Sequence, residues 1–167
     1  MSSTDKEELI QKLTAWVQSI GIPVRVCAAD AETFLPGLTI ENGVLIVDPA
    51  RLQWPGDILH EAGHIAVSPP SQRPVLGGKL QVTPGDEMAA LAWSYAAALG
   101  AGIDPAIVFH SGGYRNGGAE LLSSYTAGLA AGGPGAPMLQ WYRMTKTFPV
   151  MDNWLRQCED PTAGIAI

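Results

Sequence analysis

The chain is poor in positive charge. Its 167 residues include ten Lys and Arg against sixteen Asp and Glu, which gives a net charge of −6 at pH 7. The ten cationic residues are scattered along the chain and form no run. Proteins bind phosphate backbones through clustered Lys and Arg, so this pattern argues against nucleic acid as the main partner.

Cysteine and long apolar stretches are also scarce. The two cysteines, Cys27 and Cys158, match no metal-ligand spacing, and free thiols in a reducing compartment are their expected state. Residues 1–8 lack the basic start and apolar run of a secretory signal. The most apolar stretch, 88–103, is rich in Ala and Gly and too short to span a membrane. We therefore expect a cytoplasmic protein with no membrane partner.

The composition is that of a folded protein, with 47% hydrophobic and 16% charged residues. We expect one domain over residues 1–167. Apolar residues at helical spacing predict an amphipathic helix over 4–20, and weak alternation predicts a strand over 24–28. Two apolar runs flank Asn42 and Gly43, the pair typical of a tight β-hairpin turn.

His60, Glu61 and His64 form an H-E-x-x-H motif. Residues 54–57 are typical of a helix start and 68–70 of a helix end, so we expect the motif on a helix. Residues four apart lie on one helix face, where the two histidines could present imidazole nitrogens to one metal ion. Glu61 could reach a water bound to that ion. The alternative is a pair of ordinary histidines on a core helix.

Two histidines do not complete a zinc site, so a third ligand must come from elsewhere. The metzincin continuation, with a Gly and a third His, is missing from the sequence after the motif. A second helix is predicted over 84–99, with Thr83 as its N-cap. Glu87 in its first turn is the expected ligand, and Asp86 is the alternative. Small residues at 90, 94 and 98 would let this helix approach the motif helix closely.

These motifs resemble the minimal zincin metallopeptidase-like domains of the ImmA/IrrE family. The likeness covers roughly residues 38–100 and lies in His60-Glu61-Ala62-Gly63-His64 and the Glu-led stretch 87–95. It implies a zincin-like fold with a short sheet and two ligand-bearing helices. With the N-terminal helix and the Asn-Gly hairpin predicted above, we expect an α+β fold. The resemblance also implies Zn²⁺ as the cofactor, with His60, His64 and Glu87 as ligands.

The expected reaction is hydrolysis of a peptide bond in a protein or peptide substrate. Zinc would lower the pKa of a bound water towards ~7, and Glu61 would accept its proton as general base. A further donor should stabilise the oxyanion, and His110 is the first candidate, ahead of Tyr114, Arg115 and Tyr125. Asp57, one turn before the motif, is either an orienting acid or an ordinary helix-start acid.

Two alternatives to a zinc peptidase remain open from the sequence. One is a zinc-binding regulatory or protein-interaction module that has the zincin fold but little or no turnover. The other is a structural protein in which the motif arose by chance and binds no metal. Beyond residue 100 the pattern predicts a helix over 119–131, while residues 138–147 fit either a strand or a helix.

Overall fold

The computed structural model describes residues 2–28, 35–77, 83–113, 118–128 and 130–160. Within these ranges it is an α+β protein with five α-helices and three strands, which confirms the expected class. The elements are α1 (Ser3–Ser19), β1 (Val24–Val26), β2 (Leu38–Glu41), β3 (Val44–Val47), α2 (Asp57–Val67), α3 (Pro84–Gly100), α4 (Gly118–Thr126) and α5 (Ala136–Trp141). None of these helices has the length and apolar character that crossing a membrane would require.

The N-terminal helix α1 begins with a capping box. The Ser2 hydroxyl accepts a hydrogen bond from the Asp5 amide, and the Asp5 carboxylate accepts one from the Ser2 amide. These two bonds satisfy amides that have no partner within the helix. Ile10, Leu13 and Val17 recur at helical spacing and are buried against the rest of the core. The burial of this face holds α1 on the domain.

The sheet has the order β1-β3-β2. Strand β3 pairs in parallel with β1 and antiparallel with β2, and its last three residues are buried. This central position explains why β3 is apolar on both faces. Asn42 and Gly43 join β2 to β3 with φ angles of 51° and 74°, both in the left-handed region that a type I′ turn requires.

Helices α2 and α3 pack closely against each other, and they bring the candidate ligands together. A Cβ added to Gly63 would lie only 3.0 Å from the Ala90 carbonyl oxygen and 3.3 Å from the Trp93 ring. The Ser94 hydroxyl reaches the carbonyls of Leu59 and Ala90. Small residues on both helices therefore allow the close approach that the sequence predicts.

The C-terminal segment folds back over the helix layer. Trp154 packs against Trp16 and Trp93, and its carbonyl accepts a hydrogen bond of 2.9 Å from the Trp93 indole. The Arg156 amide donates to the Ala66 carbonyl at the end of α2. Of the stretch 138–147, only the part up to Trp141 is helical, as the end of α5.

Candidate metal centre

The two histidines of α2 lie side by side. Their rings are 4.7 Å apart and nearly perpendicular, and their Nε2 atoms are separated by 3.2 Å. Burial lowers the pKa of His60 to about 3 and that of His64 to about 4. Both imidazoles are therefore neutral at pH 7, and the neutral imidazole is the form that ligates a metal.

Glu87 approaches this pair from the first turn of α3. Its Oε1 lies 3.5 Å from Nε2 of His60, and its Oε2 lies 3.5 Å from Nε2 of His64. These distances are too long for good hydrogen bonds, and neutral imidazoles form no ion pair with a carboxylate. The two Nε2 atoms are at hydrogen-bond distance from each other, but the Glu87 carboxylate faces both rings beyond good hydrogen-bond distance and without a positive charge, an arrangement that a cation would stabilise.

The spacing of the three groups fits zinc. A tetrahedral zinc with bonds of about 2.0–2.2 Å holds its ligand atoms about 3.3–3.6 Å apart. The two Nε2 atoms are 3.2 Å apart, and each lies 3.5 Å from a different oxygen of the Glu87 carboxylate, so the carboxylate spans the histidine pair at distances close to these. His60, His64 and Glu87 could therefore supply three ligands and leave the fourth position open, as catalytic zinc sites do.

Asp86, the alternative third ligand, is engaged elsewhere. Its Oδ1 accepts a hydrogen bond of 2.8 Å from the Tyr142 hydroxyl, and its Oδ2 accepts one of 2.6 Å from the Thr83 hydroxyl. Burial, with the neighbouring Asp86, raises the pKa of Tyr142 to about 12, so its phenol remains a donor. Because both carboxylate oxygens have partners, the geometry favours Glu87 over Asp86.

Glu61 lies beside the histidine pair. One of its carboxylate oxygens and one ring nitrogen of each histidine lie within 4.8 Å of one another, so Glu61 could itself be considered a ligand. We assign that role to Glu87, because each oxygen of its carboxylate lies 3.5 Å from Nε2 of one histidine. Burial raises the pKa of Glu61 to about 7, helped by the charges of Asp57 and Glu87. A carboxylate with that pKa is suited to exchanging a proton near neutral pH.

His110, expected as the oxyanion donor, is held by contacts with Asp57, Gly112 and Trp54. Its Nε2–H donates to Oδ1 of Asp57 at 2.8 Å, and its Nδ1 accepts from the Gly112 amide at 3.2 Å. The ring stacks on Trp54 at 4.4 Å. Burial raises the pKa of Asp57 although His110 opposes the rise. Asp57 is therefore hydrogen-bonded to His110.

One buried atom of the site lacks a partner. Nδ1 of His60 makes no hydrogen bond to any of the residues that the structure describes. Metal-bound histidines normally donate this second N–H to a neighbouring acceptor, which fixes the ring. Among the described residues, the His60 ring is therefore contacted by His64, through the two Nε2 atoms and the neighbouring ring.

The other residues expected as oxyanion donors are Tyr125, Tyr114 and Arg115. The Tyr125 hydroxyl donates to the Pro134 carbonyl at 2.9 Å, and its ring packs against Tyr95 and Phe109. Tyr114 and Arg115 lie outside the described residues. The sequence did not single out Tyr142 for the site, because nothing in the pattern shows that its hydroxyl reaches Asp86.

Comparisons with known proteins found no match to this chain. No protein-family model matches the chain, no curated protein matches it, and no solved structure matches it. The resemblance to minimal zincins therefore remains a prediction from the motifs.

Proposed function

We propose that the chain is a zinc-dependent metallopeptidase of the zincin type, which hydrolyses a peptide bond in a protein or peptide substrate. The observation that supports this most strongly is the meeting of His60, His64 and Glu87: the two Nε2 atoms are 3.2 Å apart, and each lies 3.5 Å from one oxygen of the Glu87 carboxylate. Glu61 beside the histidine pair supplies the second requirement, a group that can exchange a proton.

Each residue has a defined role in this proposal. His60 and His64 hold the ion through neutral Nε2 atoms, and the Glu87 carboxylate offsets part of its charge. The ion supplies Lewis acidity, which acidifies a water and polarises a substrate carbonyl. Glu61 accepts the proton of the attacking water and delivers it to the leaving amine. The Glu87 side chain is 41% exposed, so the site is open to solvent on that side.

The first test is the metal content of the purified protein. We expect about one equivalent of zinc in the wild type, and loss of zinc in both His64→Ala and Glu87→Ala. Zinc retained by Glu87→Ala would move the third ligand to another residue. A wild type that holds no zinc, even after zinc is added and the excess removed, would exclude the proposal.

The second test separates catalysis from binding. Glu61→Gln keeps the size of the side chain but removes the proton acceptor. We expect this variant to retain zinc and to lose hydrolysis of a mixed peptide library, measured by mass spectrometry of the products. Equal product formation by the variant and the wild type would show that Glu61 is not the general base.

A zinc-binding regulatory module with little or no turnover is the second candidate. This candidate is favoured because two of the expected oxyanion donors already donate elsewhere. His110 donates to the Asp57 carboxylate, and the Tyr125 hydroxyl donates to the Pro134 carbonyl. In that case the wild type would bind one equivalent of zinc and cleave no member of the peptide library.

A further inference from the structure

Tyr142 contacts the helix end that carries Glu87. Its hydroxyl donates to Asp86, the residue immediately before Glu87, at 2.8 Å. The other oxygen of Asp86 accepts from the Thr83 hydroxyl, which in turn accepts from the Asp86 amide at 3.2 Å. Tyr142 and Thr83 thus donate to the two oxygens of Asp86 and hold this side chain from two sides.

The same tyrosine is tied to the helix that carries the histidines. The guanidinium of Arg156 lies 4.1 Å from the centre of the Tyr142 ring. Arg156 also contacts the last turn of α2, where its amide donates to the Ala66 carbonyl and its Nη1 lies 3.4 Å from the Val67 carbonyl. A cation at this end of a helix interacts favourably with the helix dipole. Tyr142 and Arg156 thus connect α2 to α3.

This connection lies at the end of α3 that carries Glu87. The contact between Gly63 and Ala90 sets the distance between α2 and α3 along their middle. Glu87 lies nearly one turn before Ala90, in the first turn of α3, where a helix end is free to fray. The hydrogen bond from Tyr142 to Asp86 restrains that turn, and with it the direction in which the Glu87 side chain leaves the backbone.

We propose that Tyr142 is a positioning residue of the metal site, which holds Asp86 and thereby keeps the Glu87 carboxylate on the histidine pair. The inference rests on the proposed zinc site and adds a residue that touches neither the ion nor the substrate. Neighbours that orient metal ligands typically contribute 10- to 100-fold to metal affinity.

Tyr142→Phe tests this inference because it removes only the hydroxyl. We expect zinc affinity, measured by competition with a chromophoric chelator, to fall about tenfold. Thr145→Val is the matched control, since it also removes one buried hydroxyl, which donates to the Val150 carbonyl at 2.6 Å. Thr145→Val should leave zinc affinity unchanged, and an equal loss in both variants would overturn the inference.

A double-mutant cycle shows whether Tyr142 acts through Glu87. Glu87→Ala leaves the histidine pair as a weaker zinc site, whose affinity can be followed with a weaker chelator. In that background Tyr142→Phe should have little further effect on zinc affinity. The same tenfold loss with and without Glu87 would mean that Tyr142 acts on general stability, and no loss in either background would equally refute its positioning role.

Cobalt provides a readout that does not depend on affinity. The visible absorption of the Co²⁺-loaded protein reports the geometry around the ion, so it should change in Tyr142→Phe and not in Thr145→Val. Unchanged cobalt spectra together with unchanged zinc affinity would overturn the inference while leaving the zinc site intact. A wild type that binds neither ion would instead refute the proposed function, and the positioning role with it.

Discussion

Glu61→Gln should change how the stability of the metal-free protein depends on pH. Burial is the main reason why the pKa of Glu61 rises from 4.5 to about 7, because the charged form loses solvation. Between these two values the native state holds a proton on Glu61 that the unfolded state has released. Stability therefore falls as the pH rises through this interval, and the penalty is complete above pH 7.

The size of the penalty follows from the shift. A difference of about 2.5 pKa units corresponds to roughly 3 kcal/mol at 1.36 kcal/mol per unit, an upper limit because the side chain keeps some contact with solvent. Gln cannot ionise, so the variant avoids this penalty. Burial lowers the pKa values of His60 and His64 and gives them the opposite effect, a loss of stability as the pH falls below about 6.5. Both proteins share that loss, so it largely cancels in the difference.

Urea unfolding with chelator present would measure this difference. We expect the stability of the variant relative to wild type to increase between about pH 4.5 and 8, by up to roughly 3 kcal/mol. Fluorescence of the cluster of Trp16, Trp93 and Trp154 reports unfolding. Glu41→Gln is a surface control, where loss of the exposed pair with Arg25 should cost under about 1 kcal/mol at any pH. A difference between Glu61→Gln and wild type that stays constant with pH would refute the reasoning.

Three further predictions concern the surroundings of the site. Gly63→Ala should destabilise the protein by about 1–2 kcal/mol in urea unfolding, because its Cβ would lie 3.0 Å from the Ala90 carbonyl. This is the net value that remains when an overpacking cost of about 2–3 kcal/mol is reduced by a gain of roughly 1 kcal/mol in helix propensity. A net stabilisation would contradict the close contact. Arg156→Met should lower stability by roughly 2–4 kcal/mol, since three carbonyls, among them that of Val67 in a buried hydrogen bond, lose a charged donor. An unchanged melting temperature would contradict this role. His110→Phe leaves Asp57 without this partner and should cost roughly 1–3 kcal/mol, while elemental analysis should still find zinc at the wild-type level.

Local signals in the sequence account for most of the elements. Pro55 and Gly56 before the motif, and Ser68 followed by two prolines after it, coincide with the bounds of α2 at Asp57–Val67. The Asn42-Gly43 pair lies at the turn between β2 and β3. Each of these features depends on residues close in sequence, so propensity and turn chemistry are enough to predict it.

The features that the sequence did not predict are long-range. The parallel pairing of β1 with β3 depends on how the chain returns to the sheet, which no local pattern encodes. Asp57 meets His110 across 53 positions, and Asp86 meets Tyr142 across 56. The sequence therefore left Asp86 open as a ligand, because the partner that occupies its oxygen lies in a region of weak periodicity.

The site also implies a link between metal binding and folding. Glu61, Glu87 and Asp57 all have pKa values raised by burial, while the two histidines are held neutral. Each of these shifts is a cost to the metal-free fold at some pH, because a group is kept from its preferred charge state. A divalent cation would favour the ionised carboxylates and use the lone pairs of the neutral imidazoles, so the same groups would stabilise the loaded protein. Free zinc at a hundred times its dissociation constant would add about 2.7 kcal/mol to the stability of the fold. Chelation should therefore lower the melting temperature of the wild type, and it should have little effect on His64→Ala.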